Sequence, residues 1–260
     1  MAVATFVLVP GAWLGGWVWE PTARRLRERG HDVHPVTLPG LGERADIAGP
    51  EIDLDAHVDD VVRRIRDQGL EDVVLLGHSY AGIVVTGAAD RVPERLAKVV
   101  YLESGPVPDG VAYLEMENPT ARERDQRQVA ETGDGWRLAM PSWDELEQVN
   151  GASLEGLGEA ERGWVREHAT AHPFGTYTQP LRLRGAAAPL PKVLISCSYP
   201  LDQVRELIAG GHPWFAPMAG PEWQLLELPT GHWPMVSRPD DLADLLDRMV
   251  SRPATPPGAG

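Results

Sequence analysis

One serine stands where a chain can make it reactive. Val73-Val74-Leu75-Leu76 is an apolar run, Gly77-His78-Ser79-Tyr80-Ala81-Gly82 follows it, and small residues continue to Ala89. A strand, a tight turn carrying a serine and then a helix lift the hydroxyl above the edge of a sheet. Residues two places either side of that serine must be small, a need that Gly77 and Ala81 meet. Ala81 departs by one methyl group from the glycine of Gly-x-Ser-x-Gly. The helix N-terminus beneath Ser79 would place free N–H groups and the positive end of the dipole where negative charge develops. The competing expectation is a helix cap, a frequent serine role. The flanking strand and helix favour the nucleophile.

A serine hydroxyl needs a base, and histidine serves near neutrality. Of the eight histidines, His232 lies in Leu228-Pro229-Thr230-Gly231-His232-Trp233-Pro234, between the last strand and the last helix. His78 adjoins Ser79 and would point the opposite way, into packing. His57, His168, His172 and His212 lack metal-ligand spacing, so neither a metal nor a cofactor is expected. Two carboxylates compete to orient the imidazole. Asp202 follows the strand Lys192 to Cys197, the commoner topological place, but lies beyond the usual spot, where Pro200 stands. Glu103 sits directly after Leu102 at a strand end and is slightly preferred. Oxyanion donors are expected from the loop Val9-Pro10-Gly11-Ala12-Trp13 and from the elbow, as the main-chain N–H groups of Ala12 and Tyr80.

These residues require a scaffold of alternating strands and helices. Strands are predicted at Thr5 to Val9, His31 to Thr37, Val73 to Leu76, Lys98 to Leu102, Lys192 to Cys197 and Gln224 to Leu228. Helical patterns intervene at Pro21 to Arg29, where Gly30 stops the helix, and through Leu54, Val58, Val61, Val62 and Ile65. A last helix opens at Pro239 and aligns Leu242, Leu245, Leu246 and Met249. The alternation predicts an α/β fold with a mostly parallel sheet, helices on both faces and right-handed crossovers. Between Pro108 and Pro189 the rhythm breaks into helical segments with no good strand. The expected organisation is a core of residues 1–107 and 190–252, a helical cap insertion at 108–189 over the carboxyl ends of the strands, and a disordered tail at 253–260. Trp13, Trp17, Trp136, Trp143 and Trp164 could line an apolar pocket, although tryptophan is more often core.

Composition narrows the function classes. The 260 residues are 43% hydrophobic, enough to fill a sizeable core. No apolar run reaches the ~20 residues that span a bilayer, and Thr5 to Val9 already reads as a strand, which leaves no room for a leader peptide. A cytoplasmic location is the default expectation, and Cys197, being alone, cannot form an intramolecular disulfide. The net charge of -14 disfavours nucleic acid. A small-molecule substrate is expected, with neither nucleic acid nor membrane as partner, in a monomer or homodimer.

With these residues in place, the chain resembles the α/β-hydrolase superfamily, and within it small bacterial hydrolases grouped with plant methylesterases and hydroxynitrile lyases. The resemblance runs through Phe6 to Trp19, Leu38 to Arg44, Val73 to Gly82, Val99 to Gly110 and Leu228 to Pro239. It implies that Ser79 and His232 are catalytic, that Ala12 and Tyr80 supply oxyanion N–H groups, and that the insertion is a cap. Pro10 replaces the histidine that many relatives carry before the Gly11 position. Hydroxynitrile lyases have a threonine in the first loop and a lysine after the histidine; Gly11 and Trp233 stand there and argue against a lyase. Glu103 would be a longer variant of the aspartate that some relatives place after this strand. The first expectation is a serine esterase acting through an acyl-enzyme on a small apolar or aromatic substrate. The others are a lyase or natural-product cyclase that uses His232 without an acyl-enzyme, and a ligand-binding protein with a decayed site.

Overall fold

The computed structural model describes residues 3–185 and 190–251. The expected tail at 253–260 and the last residues of the 108–189 insertion lie outside the described residues. Six strands, β1 (Thr5–Val9), β2 (Asp32–Pro35), β3 (Val73–His78), β4 (Leu96–Leu102), β7 (Lys192–Ser196) and β8 (Trp223–Glu227), form one sheet in the order β2-β1-β3-β4-β7-β8. Every pairing in it is parallel. The inner strands are largely apolar because helices cover both faces: Phe6, Val7, Leu8, Val9, Leu75, Leu76 and Val100 are wholly buried. The edge strand β8 is half-buried.

The strand order reverses between β1 and β3. From β1 the chain steps outward to β2, whereas from β3 it steps the other way to β4. Right-handed crossovers therefore send the intervening helices to opposite faces. Helix α1 (Glu20–Glu28) packs against the C-terminal helix α11 (Pro239–Ser251), and α2 (Leu54–Asp67) packs against α3 (Ala81–Arg91). At such a reversal the loops leaving two adjacent strands part and open a crevice. Val9 pairs with Gly77 there, so the loop after β1 and the serine turn after β3 are neighbours.

Between β4 and β7 lie the short helices α4 (Tyr113–Met116), α5 (Pro119–Thr132), α6 (Trp143–Gln148), α7 (Glu159–His168) and α8 (Gly175–Thr178). The stretch expected to hold no good strand contains one minimal pair, in which β5 (Arg137–Leu138) and β6 (His172–Pro173) run antiparallel. Two-residue strands more than thirty positions apart have no periodicity to read. Strand limits elsewhere differ from the predicted ones by a few residues; β2 is the shortest match, ending at Pro35 ahead of the turn at Pro39 and Gly40. Helix α9 (Leu201–Ala209) follows β7, and α10 (Pro234–Ser237) follows the His232 loop. Among the described residues no helix is long and apolar enough to cross a membrane.

Candidate active site

Ser79 occupies the left-handed region at φ 52°, a conformation that costs energy for any residue with a side chain. Three hydrogen bonds over-determine it. The Ser79 N–H donates to Leu102 O at 3.1 Å, and the Ser79 carbonyl accepts from Gly82 N–H at 2.9 Å and from the Ser104 hydroxyl at 2.6 Å. Gly77 is required by space: a Cβ there would stand 2.7 Å from Ala81 O and 2.8 Å from the Val85 methyls. Gly11 is required by approach, since its Cβ would stand 2.8 Å from His78 Nδ1 and 3.1 Å from Ser79 Cβ. The backbone of the first loop therefore lies against the side chains of His78 and Ser79.

The Ser79 hydroxyl meets His232 Nε2 at 2.9 Å, and His232 Nδ1 meets Glu103 Oε2 at 3.3 Å. With the carboxylate able only to accept, Nδ1–H donates to Glu103 and Nε2 is left to accept from Ser79. His232 is held from two sides. Its N–H donates to Ser153 O at 2.8 Å, and its carbonyl accepts from His78 Nε2–H at 2.7 Å. His78 is wholly buried and edge-on to Trp19, but the expectation that it points away from the site is corrected: its ring lies 5.0 Å from that of His232 and borders the cavity, because it bonds the His232 backbone. Burial, with His232 nearby, lowers its pKa to about 3, so the ring is neutral.

Glu103 adopts φ 49° as it leaves β4, which turns its side chain toward the end of β7. Its Oε1 accepts from the N–H groups of Cys197 (2.5 Å) and Ser198 (3.0 Å), and its Oε2 accepts from the Ser198 hydroxyl at 2.6 Å. Burial pushes this carboxyl up, but the bonds from His232, Ser198 and Cys197 outweigh it and hold it at about 2. Asp202, the alternative, stands in the first turn of α9, its side chain 92% exposed and paired with Arg205 at 2.8 Å. The geometry brings Glu103, and not Asp202, to His232. A short loop after β7 keeps Asp202 on the solvent side.

The N–H groups of Ala12 and Tyr80 donate to no protein acceptor among the described residues, whereas the Trp13 N–H donates to His172 Nδ1 at 3.3 Å. Ala12, Trp13, Ser79, Glu103 and His232 border a cavity of about 430 Å³, and Tyr80 follows Ser79 directly beneath it. Of the tryptophans proposed for its wall, Trp13 lines it and Trp136, Trp143 and Trp164 do not. Trp136 lies under the Arg137 guanidinium, Trp143 packs edge-on to Trp233, and Trp164 packs edge-on to Trp17. Tryptophan's amphipathic ring suits such partly buried joints, and composition alone does not tell them from a pocket wall. Beside Trp13, the aromatic lining is Tyr113, Tyr177, Tyr199, Trp214, Phe215 and Trp233. Sequence reasoning missed Tyr113 and Tyr177, which carry no local pattern; Trp233, beside His232, was the one with a signal. Among the described residues no cluster could hold a metal ion.

The model of the alpha/beta hydrolase family matches residues 6–245. The chain belongs to that family. This α/β hydrolase is 33% identical over 250 residues to a carbendazim hydrolyzing esterase of Nocardioides sp. (strain SG-4G), covering 94% of this chain and 98% of that one. It is 26% identical over 269 residues to a pyrethroid hydrolase of Sphingobium wenxiniae, covering 98% and 90%. Its fold is shared with an extracellular α/β-hydrolase from a Paenibacillus species at a TM-score of 0.77, with 23% identity over 94% of this chain and 98% of that one.

One cavity group of the α/β hydrolase titrates unusually. Burial, and then the charge of Asp125, raises the Glu117 carboxyl to about 8, while Asp125, itself raised by burial, pairs with Arg124 at 2.6 Å. A carboxyl raised in the folded state contributes stability below its ordinary value of 4.5, and that contribution is lost as pH rises through about 8. Glu117→Gln, which mimics the protonated form, is expected to leave the melting temperature near wild type at pH 5. At pH 9 it should raise it by a few degrees, on the order of 3 °C. A calorimetric scan at the two pH values checks this, and an equal shift at both would refute it.

Proposed function

We propose that this α/β hydrolase cleaves carboxylic esters of small, uncharged, apolar or aromatic character through an acyl-enzyme on Ser79. The observation that carries the reading is the unbroken hydrogen-bonded chain from Ser79 through His232 to Glu103, opening on a cavity that Ala12 also lines. In this reading His232 Nε2 takes the Ser79 proton as the oxygen attacks the ester carbonyl, and the oxyanion rests on the N–H groups of Ala12 and Tyr80. Glu103 keeps Nδ1 protonated and stabilises the imidazolium. His232 then gives its proton to the leaving alkoxide, and water, activated by the same base, releases the acid.

The lining supports the substrate class. Leu14, Met116, Leu146, Leu194 and Met218 join the aromatic residues, and no lysine or arginine is among the described lining residues, while Glu103 and Glu117 are. A carboxylate-bearing ester would lack a counter-charge there. The names of the two curated relatives, an esterase and a pyrethroid hydrolase, support ester cleavage. We read the 108–189 insertion as a cap, since Tyr113, Leu146 and Tyr177 from it form part of the wall.

A fluorophosphonate should add covalently at Ser79, located by peptide mass spectrometry, and abolish turnover of nitrophenyl butyrate. The hemisuccinate nitrophenyl ester should be a poorer substrate than the butyrate by at least about 10-fold in kcat/KM, about 1.4 kcal/mol. An intact enzyme that forms no adduct at Ser79 ends the acyl-enzyme reading.

A further inference from the structure

The loop that bears the Ala12 N–H is shaped from outside the sheet. Trp13 adopts φ 66°, a conformation that a bulky residue keeps only when its surroundings impose it. Three atoms of Trp13 are bound by the segment between β4 and β7. Its N–H donates to His172 Nδ1 at 3.3 Å, its carbonyl accepts from Thr170 N–H at 3.0 Å, and its indole Nε1–H donates to Leu138 O at 3.0 Å. Leu138 and His172 face each other across β5 and β6, so the smallest sheet in the molecule is the clamp.

Toward Trp13, His172 can act only as an acceptor. Its Nε2 meets Thr176 Oγ1 at 2.8 Å, and the Thr176 hydroxyl donates onward to Pro173 O at 2.8 Å, so Nε2 carries the proton and Nδ1 the lone pair. The ring is wholly buried among Tyr80, Tyr177, His57 and Trp13 and has no room to turn. Burial, reinforced by His57, keeps it neutral, as an acceptor nitrogen requires. Binding the Trp13 N–H fixes the Ala12–Trp13 peptide plane. Because peptide planes are rigid, the direction of the preceding N–H then depends on the two dihedrals of Ala12 alone.

We propose that His172 is a positioning residue for the reaction: by accepting the Trp13 N–H it aims the Ala12 N–H at the ester oxygen, so the insertion sets the oxyanion site as well as the pocket wall. The proposal rests on the ester-hydrolase reading. Misplacing a transition-state contact by about an ångström costs up to about 100-fold in rate with little effect on ground-state binding.

Two amide substitutions separate the ring's two bonds. His172→Asn places its carbonyl oxygen where Nδ1 stands and gives up Thr176; His172→Gln reaches Thr176 and gives up Trp13. Expected with nitrophenyl butyrate is a kcat loss of about 10- to 100-fold for Gln, with KM within about 2-fold. Affinity for a trifluoromethyl ketone should fall by the same factor, and Asn should keep kcat within about 3-fold. A Gln variant with wild-type kcat, or an Asn variant as impaired as Gln, overturns the proposal. A second measurement needs no variant: nitrogen-15 spectra of the His172 ring in the wild type should show Nε2 protonated and Nδ1 bare from pH 5 to 9. A proton on Nδ1 overturns the proposal even if both variants fail to fold. Failure of the ester reading is distinguishable, because it appears as an inactive, unlabelled wild type.

Discussion

Ser79→Ala is expected to lower kcat for nitrophenyl butyrate by about 10⁶-fold, leaving KM within a few-fold and a residual rate about 10³- to 10⁴-fold above that in water. The size of the loss follows from the division of labour in the site. Ser79 and His232 act as one unit at 2.9 Å, so removing the hydroxyl idles the base as well. In the proposed mechanism what survives is the pair of N–H groups on Ala12 and Tyr80, which would still polarise a bound carbonyl. The variant should fold as the wild type does, because the turn is held by backbone bonds and by Ser104, none of which uses the Ser79 hydroxyl. Steady-state kinetics and a melting curve check both halves. Turnover retained at more than about a tenth of wild type would mean that His232 works without an acyl-enzyme.

Glu103→Gln should cost about 10⁴-fold in kcat, whereas Asp202→Asn should change it by less than 2-fold. Glu103 Oε1 is committed to the N–H groups of Cys197 and Ser198, so a glutamine would keep its oxygen there and turn its NH₂ toward His232. That NH₂ donates to Nδ1, forces the proton onto Nε2, and leaves the imidazole unable to accept from Ser79. Asp202 makes no contact with the histidine and is already solvated beside Arg205. The same substitution reads out in stability. A carboxyl held at about 2, below its ordinary 4.5, contributes stability above pH 4.5 that disappears as pH falls toward 2; the shift corresponds to on the order of 3 kcal/mol. The melting-temperature gap between wild type and Glu103→Gln should therefore be full at pH 7 and close toward pH 2. Activity surviving Glu103→Gln, with loss on Asp202→Asn, would reverse the assignment.

Much of this site was legible in the chain because its parts sit at the ends of regular elements. The serine turn needs a buried strand, two small residues and a helix, all local in sequence, and the fully buried β3 with Gly77 and Ala81 meets that description. His232 could be placed from the strand before it and the helix after it. The choice between Glu103 and Asp202 could be leaned on but not made, because it depends on where two loops from neighbouring strands meet. The positive φ at Glu103 and the two N–H groups at the end of β7 settle where that carboxylate lies, and neither is visible without the pairing of β4 with β7.

By itself, then, the sequence determined the alternation of elements, the mostly parallel sheet and the residues at the ends of its strands, since periodicity and turn chemistry act over a few positions. Tertiary structure alone decided which aromatics reach the cavity, that Trp136, Trp143 and Trp164 pack elsewhere, and that His172 of a two-residue strand binds the loop after β1. Such contacts join residues as far apart as Trp13 and His172, and their energies depend on distances that no local pattern encodes.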